Sequence, residues 1–433
     1  MITRLAFLVL TVSFLTCTEI QGQTKTDSLL KEILNDIQDS TTKSALSNLD
    51  QHRIQIIYTQ INRDKKGKPS FTNYHLNVDP DLYFNPASMV KMPLAFLSLE
   101  KLQEMNKPGV NKHTRMKYDS SYGRQVAMTN DSSAENSYPS IAHFIKRAFL
   151  ISENDPYNRM YQFVGQQQTN KKLIEKGYTS IRITRQFMGY TEEQNRHTNG
   201  IEFIDKIGNT IYSQAPQYNT DSFQFPSPIL IGNAHINRED QLVATPFDFT
   251  KHNNLSLEDM RKMIQAVVFP NSVEKRNRFN ISEEDRLFLL QYMSQYPSET
   301  NYPKYDSELF YDSYVKFFFS DSSHKIPSHI RVFNKVGWAY GFMTDVSYVI
   351  DTKNNIDYML SATIYVNSDG VVNDSKYDEE TVGFPFFDKI GRAIYAYELS
   401  RSHQHKPVLI NPVKVYEKRE PNDKRPSIKQ ADN

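Results

Sequence analysis

Apolar residues first recur at helical spacing at Leu29, Leu30, Ile33, Leu34 and Ile37, behind a Thr26-Asp27 cap. Ile54, Ile56 and Tyr58 then alternate with other residues, Lys66-Gly67 marks a turn, and Tyr74, Leu76 and Val78 alternate again. This pattern predicts a helix followed by a β-hairpin. From Ser88 to about Leu102 the chain is apolar and helical in spacing, whereas residues 107–140 are polar and turn-rich and predict a surface excursion. Ile141 to Val164 predicts helix on both sides of a break at Asp155-Pro156. Leu255 to Val268 and Ser282 to Tyr296 predict two more helices, each opened by a serine with an acidic residue behind it. Toward the C-terminus the period falls to two, and His329 to Asn334, Thr344 to Ile350 and Tyr358 to Val366 predict three strands in succession. Phe386 to Leu399 predicts a last helix. Beyond Ser400 the chain is charged and proline-punctuated, so a loosely ordered tail is expected.

These elements imply one interleaved α+β unit (mixed α/β) over residues 27–400. Both chain ends would contribute to an antiparallel sheet covered by helices, the middle would form an all-helical lobe, and residues 401–433 would be a polar tail. No internal repeat is present. At the N-terminus Arg4 precedes the apolar run Leu5 to Leu15, and Thr18, Glu19 and Gln21 restore polarity. That run is too short to span a bilayer and reads as a secretory signal peptide over residues 1–22. The expected location is therefore the periplasm or the cell surface.

Composition narrows the functional classes. Cys17 is the only cysteine, so the chain can form no intramolecular disulfide; following Phe14-Leu15-Thr16, it is a candidate lipid-anchor site. Fifty-one basic residues oppose 50 acidic ones, which gives no global attraction for nucleic acid or for an anionic membrane. The histidines are scattered, with His403 and His405 in the tail, and no H-E-x-x-H or paired-cysteine pattern exists. Neither a metal nor a cofactor is expected, and the partner should be a small molecule bound by a monomer.

The candidate chemistry starts at Ser88-Met89-Val90-Lys91. The same spacing recurs at Ser98/Lys101, Ser272/Lys275 and Ser313/Lys316, so spacing alone carries little. Ser88 differs because it follows Phe84-Asn85-Pro86-Ala87 and opens an apolar helix. Residues three apart on a helix share a face, so Lys91 can reach the Ser88 hydroxyl, and burial can lower its pKa enough to make it a base. The alternative is Ser88 as a helix cap with Lys91 extending to solvent. Ser152-Glu153-Asn154 ends an apolar helical segment and offers a hydroxyl and an amide two residues apart. Asn334-Lys335-Val336-Gly337 ends the first late strand, where Lys335 supplies charge and Gly337 allows close backbone approach.

In this order the three motifs resemble the penicillin-recognising serine enzymes, whose signature is S-x-x-K, S-D-N and K-T-G, and most nearly their class A β-lactamase branch. The resemblance spans about residues 27–400 and implies the serine β-lactamase/DD-peptidase fold. It implies Ser88 as the acylated nucleophile, Lys91 as proton acceptor and Ser152 as proton relay to the leaving nitrogen. It further implies that Asn154 and Lys335 bind substrate, and that the backbone N–H groups of Ser88 and of Trp338 or Ala339 form the oxyanion hole. Glu153 departs from the family aspartate, and Val336 from a hydroxyl residue that assists carboxylate binding. The deacylating glutamate of class A enzymes lies in an E-P-E-L-N loop. Anchoring Gly189 to Arg196 on Asn195 puts Thr191 at that position, with Glu192 and Glu193 alongside as candidate bases or as a solvated acidic loop. The leading expectation is a serine β-lactamase opening the cyclic amide. The alternatives are a cell-wall DD-peptidase or esterase inhibited by β-lactams, and a non-catalytic binding module of the same fold.

Overall fold

A computed structural model describes residues 26–321, 323–405 and 409–431. The signal segment 1–22 and Cys17 lie outside the described residues. One five-stranded antiparallel sheet organises the chain. β1 (Gln55–Arg63) pairs with β2 (Pro69–Leu76) through the Lys66-Gly67 turn, and its other edge takes β5 (Ile356–Tyr365) from the far end of the sequence. β5 pairs in turn with β4 (Phe342–Asp351), and β4 with β3 (Ile330–Ala339), which leaves β3 as an edge strand.

The three late strands are longer than the alternating pattern predicted. Every residue of β4 and β5 is buried, polar ones such as Asp345 and Asp357 included, so the alternation of apolar and polar positions fades. One face packs on α1 (Ser28–Asn35) and α10 (Phe384–Ser400), in a core that includes Leu30, Val332, Leu360, Phe386 and Ile390. The other face meets the helical lobe. There α3 (Lys91–Met105) is apolar nearly all round and buried, as a central helix must be. It packs on α4 (Ile141–Leu150) and α5 (Asn154–Val164), while α8 (Leu257–Val268) and α9 (Glu283–Ser294) lie on the sheet. Ser256 and Ser282 cap those last two helices by accepting from the Asp259 and Asp285 N–H groups.

Three local expectations are corrected. The break between α4 and α5 falls at residues 151–153, and Pro156 sits inside the first turn of α5, where its missing N–H is not needed. Residues 107–140 contain a strand, Arg115–Tyr118, paired with Ile201–Ile204 in a small separate sheet. The tail does not stay loose. Leu409 and Val413 are buried, Tyr416 bonds Ser294 at 2.8 Å, Glu417 accepts from Lys146 at 2.7 Å, and Ile428 bridges to Tyr305. A charged tail can dock in this way because a few aromatic and apolar anchors suffice while its charges face water or pair.

Candidate active site

The chain reaches Ser88 through a constrained turn. Ala87 adopts φ +44°, in the left-handed region, and its N–H donates to Asn85 Oδ1 at 2.8 Å. Ser88 then sits in a short 3₁₀ turn, Ala87–Val90, that runs directly into α3. Lys91 is one turn on, fully buried, with Nζ 2.8 Å from Ser88 Oγ. The same Nζ lies 2.8 Å from Asn154 Oδ1 and bonds the Ser152 carbonyl. Burial pulls the Lys91 pKa well below the ordinary lysine value, the charge of Lys335 lowers it further, and Glu153 opposes. A neutral amine has two N–H donors and one lone pair. Asn154 Oδ1 and the Ser152 carbonyl can only accept, so they take both donors, and the lone pair is left for the Ser88 hydroxyl. In that form the arrangement could serve as a general base beside a nucleophile.

Ser152 enters the cleft because the α4–α5 break gives it φ +68°. Its Oγ accepts from Lys335 Nζ at 2.7 Å and stands 3.4 Å from Lys91 Nζ. One hydroxyl thus joins the two lysines. Lys335 is also buried, its pKa held well down by burial and then by Lys316, with Asp345 opposing. Behind it Lys316 donates to Asn334 Oδ1 and Met293 O, and Asp345 accepts from Asn334, Ser347 and the Phe317 N–H. Glu153 turns away from the cleft into the protein, where it pairs with Arg147 and accepts from the Tyr305 hydroxyl; Arg147 also holds buried Asp131. That network fixes the loop carrying Ser152.

Edge strand β3 forms another wall. A side chain at Gly337 would meet the Pro86 carbonyl and, at 3.0 Å, the Met89 nitrogen. The glycine is therefore required for the strand to approach the turn bearing Ser88. Trp338, Ala339 and Tyr340 line the cleft, with Trp338 packed on Phe317 and Tyr314. Val336 points the other way, fully buried in the core against α10. The cleft encloses about 550 Å³ and is closed by residues 185–189, His252, Asn253 and the loop carrying Asn373, Ser375 and Tyr377.

The structure thus brings Ser88, Lys91, Ser152, Asn154 and Lys335 together, with Gly337 and Trp338 alongside. It does not bring Glu192 or Glu193 to the cleft. Their side chains are 68% and 54% exposed, paired with Lys251 and His197. They occupy the first turn of a short helix, Glu192–Arg196, opened by a Thr191/Gln194 capping box, where acidic residues complement the helix dipole. The side chain offered to Lys91 from this loop is Phe187, whose ring centre lies 5.4 Å from Nζ and whose N–H is pinned by Asn158 Oδ1 at 2.8 Å. Among the described residues no carboxylate lines the cleft. Phe187, Arg185 and His252 were not legible beforehand, since none stands in a motif and the contacts that position them are tertiary. Among the described residues no three His, Cys, Asp or Glu side chains gather as metal ligands.

The profile of the beta-lactamase enzyme family matches residues 43–397. Solved structures similar to this chain include a beta-lactamase from Sphaerobacter thermophilus, at 12% identity over 84% of this chain and 98% of that one, with a TM-score of 0.44. PBP-A is similar at 12% identity over 83% and 96% of the two chains, TM-score 0.44. A beta lactamase from Xanthomonas campestris pv. campestris is similar at 9% identity over 82% and 97%, TM-score 0.45. No curated protein matches the chain.

Proposed function

Since the chain belongs to the beta-lactamase enzyme family, we propose that it is a serine hydrolase that opens β-lactams and related amides through an acyl-enzyme on Ser88, and that it releases the acyl group slowly. The observation that carries the reading is the Lys91 amine, buried 2.8 Å from Ser88 Oγ beside two further acceptors, which in the neutral form take both N–H groups and leave the lone pair for Ser88. Lys91 takes the Ser88 proton as Oγ attacks the substrate carbonyl. The Ser88 N–H and that of Trp338 or Ala339 stabilise the oxyanion. As the C–N bond breaks, Ser152 hands its proton to the leaving nitrogen and is reprotonated through the lysines that flank it. Asn154, its Oδ1 occupied by Lys91, donates Nδ2 to the acyl-side amide of the substrate, and Lys335 attracts its carboxylate.

Hydrolysis of the resulting ester needs an activated water, and the cleft offers Phe187 where a carboxylate would serve. This favours a penicillin-trapped acyl-enzyme, of the kind a peptidase or esterase forms, over a rapidly turning β-lactamase. The test is intact mass after exposure to penicillin. One adduct is expected on the wild type, none on Ser88→Ala, and a burst followed by slow turnover with a chromogenic cephalosporin. An adduct that persists in Ser88→Ala, or maps to Ser98, refutes the assignment, and turnover without a burst refutes slow release.

A further inference from the structure

One cation in the cleft has no place in the acylation chemistry. Arg185 lines the cavity that holds Ser88, and it also lines a second cavity of about 540 Å³. It stands at the junction of the two, together with His252. Its backbone is fixed on three sides: the N–H donates to Asn253 Oδ1 at 3.1 Å, and the carbonyl accepts from Tyr157 OH at 2.8 Å and Asn253 Nδ2 at 3.2 Å. Its Nη1 lies 2.7 Å from His252 Nε2. A guanidinium can only donate, so His252 must be the neutral acceptor at Nε2. Burial and the Arg185 charge push the His252 pKa down to about 3, with Asp248 opposing. The imidazole is wedged among Phe249, Phe247 and Tyr340, with ring centres at 5.0, 5.5 and 6.1 Å.

Arg185 is therefore a positioned cation supported by a neutral group. Among the described residues no carboxylate pairs with it. An arginine fixed in a concave wall without a counterion is a carboxylate-binding element, since its remaining N–H groups match the two oxygens of that anion. The second cavity continues the theme. Arg196, Arg238 and Lys251 outnumber Glu192 and Asp248 in its lining, and Phe223 and Phe225 add apolar surface.

The position of Arg185 selects the part of the substrate it would meet. Its loop is pinned to α5, through Tyr157 to Arg185 itself and through Asn158 to Phe187. That is the Asn154 side of the cleft. Ser152 and Lys335, which serve the leaving group, are joined across to β3. We propose that Arg185, braced by His252, binds a carboxylate on the acyl side of the substrate, so that the preferred substrate is an acidic, peptide-like amide whose anion lies at the junction of the two cavities. This rests on Ser88 being the acylated residue.

The experiment compares the acylation of Ser88 by benzylpenicillin and by its α-carboxy derivative, which differ only in an acyl-side carboxylate, followed by intact mass. Wild type is expected to prefer the carboxylated probe by about 10–100-fold, the effect of one charge-assisted hydrogen bond. Arg185→Gln should abolish that preference, and Arg185→Lys should restore part of it. A wild type with no preference, or an Arg185→Gln variant that keeps it, overturns the proposal. If neither probe labels Ser88, the serine-hydrolase reading fails and the subsite is judged separately by calorimetric binding of a non-reactive acidic dipeptide, N-acetyl-glutamyl-alanine. Binding that Arg185→Gln weakens supports the subsite, and no binding, or binding that the variant leaves intact, overturns it.

Discussion

Replacing Phe187 by Glu should turn a slow acyl-enzyme into a turning-over one, at a cost to acylation at neutral pH. A glutamate carboxyl reaches about as far from the backbone as the centre of a phenylalanine ring, and the Phe187 backbone is held by Asn158. The new carboxylate would therefore stand near the ring position, 5.4 Å from Lys91 Nζ. That span is about two hydrogen bonds of ~2.7–2.9 Å, room for one water between the carboxylate and the site. A positioned general base contributes roughly 10²–10⁴-fold, so the acyl-enzyme lifetime should shorten by that order. The same charge acts on Lys91. At an effective dielectric constant of about 20, a unit charge at this separation favours the protonated amine by about 3 kcal/mol. This raises its pKa by about two units. Acylation should then reach its plateau about two pH units later than in wild type. Phe187→Gln, of the same shape as Glu but uncharged, should do neither. The assay is stopped-flow labelling with a fluorescent penicillin for acylation, and decay of the labelled band for release. An unchanged lifetime together with an unshifted acylation profile in Phe187→Glu would show that this side chain does not face the reacting centre.

Four further outcomes follow from the same geometry. Because burial and Lys335 hold the Lys91 pKa below 10.5 and the neutral amine is the active form, wild-type acylation should rise with pH through that lowered pKa and level off well before 10.5. Lys91→Arg, which is effectively never neutral, should lose about 10²–10⁴-fold in acylation, measured by intact mass over time. Arg147→Ala leaves buried Glu153 and Asp131 without their shared partner, and urea unfolding should record a loss of about 3–5 kcal/mol. Removing residues 409–431 exposes the surface under Leu409 and Val413, worth roughly 1.5–3 kcal/mol for each side chain, so the melting temperature should fall measurably.

Much of the site could be read from the chain because its chemistry is local. Ser88 and Lys91 share a helical turn, Ser152 and Asn154 flank one break, and Lys335 lies on a strand with a recognisable period. The shared sheet could be read because its strands carry that period at both ends of the sequence. What could not be read depends on residues far apart. The acidic pair Glu192-Glu193 near Asn195 suggests catalysis, yet in the structure it opens a short capped helix and pairs with Lys251 and His197. Val336 looks like a lost substrate contact, but a buried strand neighbour of Lys335 must face the opposite side of the sheet, and it packs into the α10 core. Tail docking also escapes composition, because it rests on single anchors such as Tyr416, whose ring lies 3.9 Å from the Arg331 guanidinium.

If Ser88 is acylated as proposed, the geometry separates the two halves of the reaction. Acylation draws on groups fixed by burial: the Lys91 lone pair, the Ser152 hydroxyl between two lysines, and a strand edge brought close by Gly337. The side-chain hydrogen bonds that hold these groups run among Ser88, Lys91, Ser152, Asn154 and Lys335, and none goes to the 185–189 loop. Deacylation would then depend on what that loop presents to Lys91, a single side chain on a separately pinned backbone. A substitution at residue 187 can thus change release while the apparatus for attack stays in place. The Lys91 charge state is the one link between the two steps, because any carboxylate near enough to activate water is also near enough to hold a proton on the amine that attack requires to be neutral. In this cleft Phe187 puts no negative charge beside Lys91, so burial and Lys335 hold the amine's pKa down, which favours attack over release.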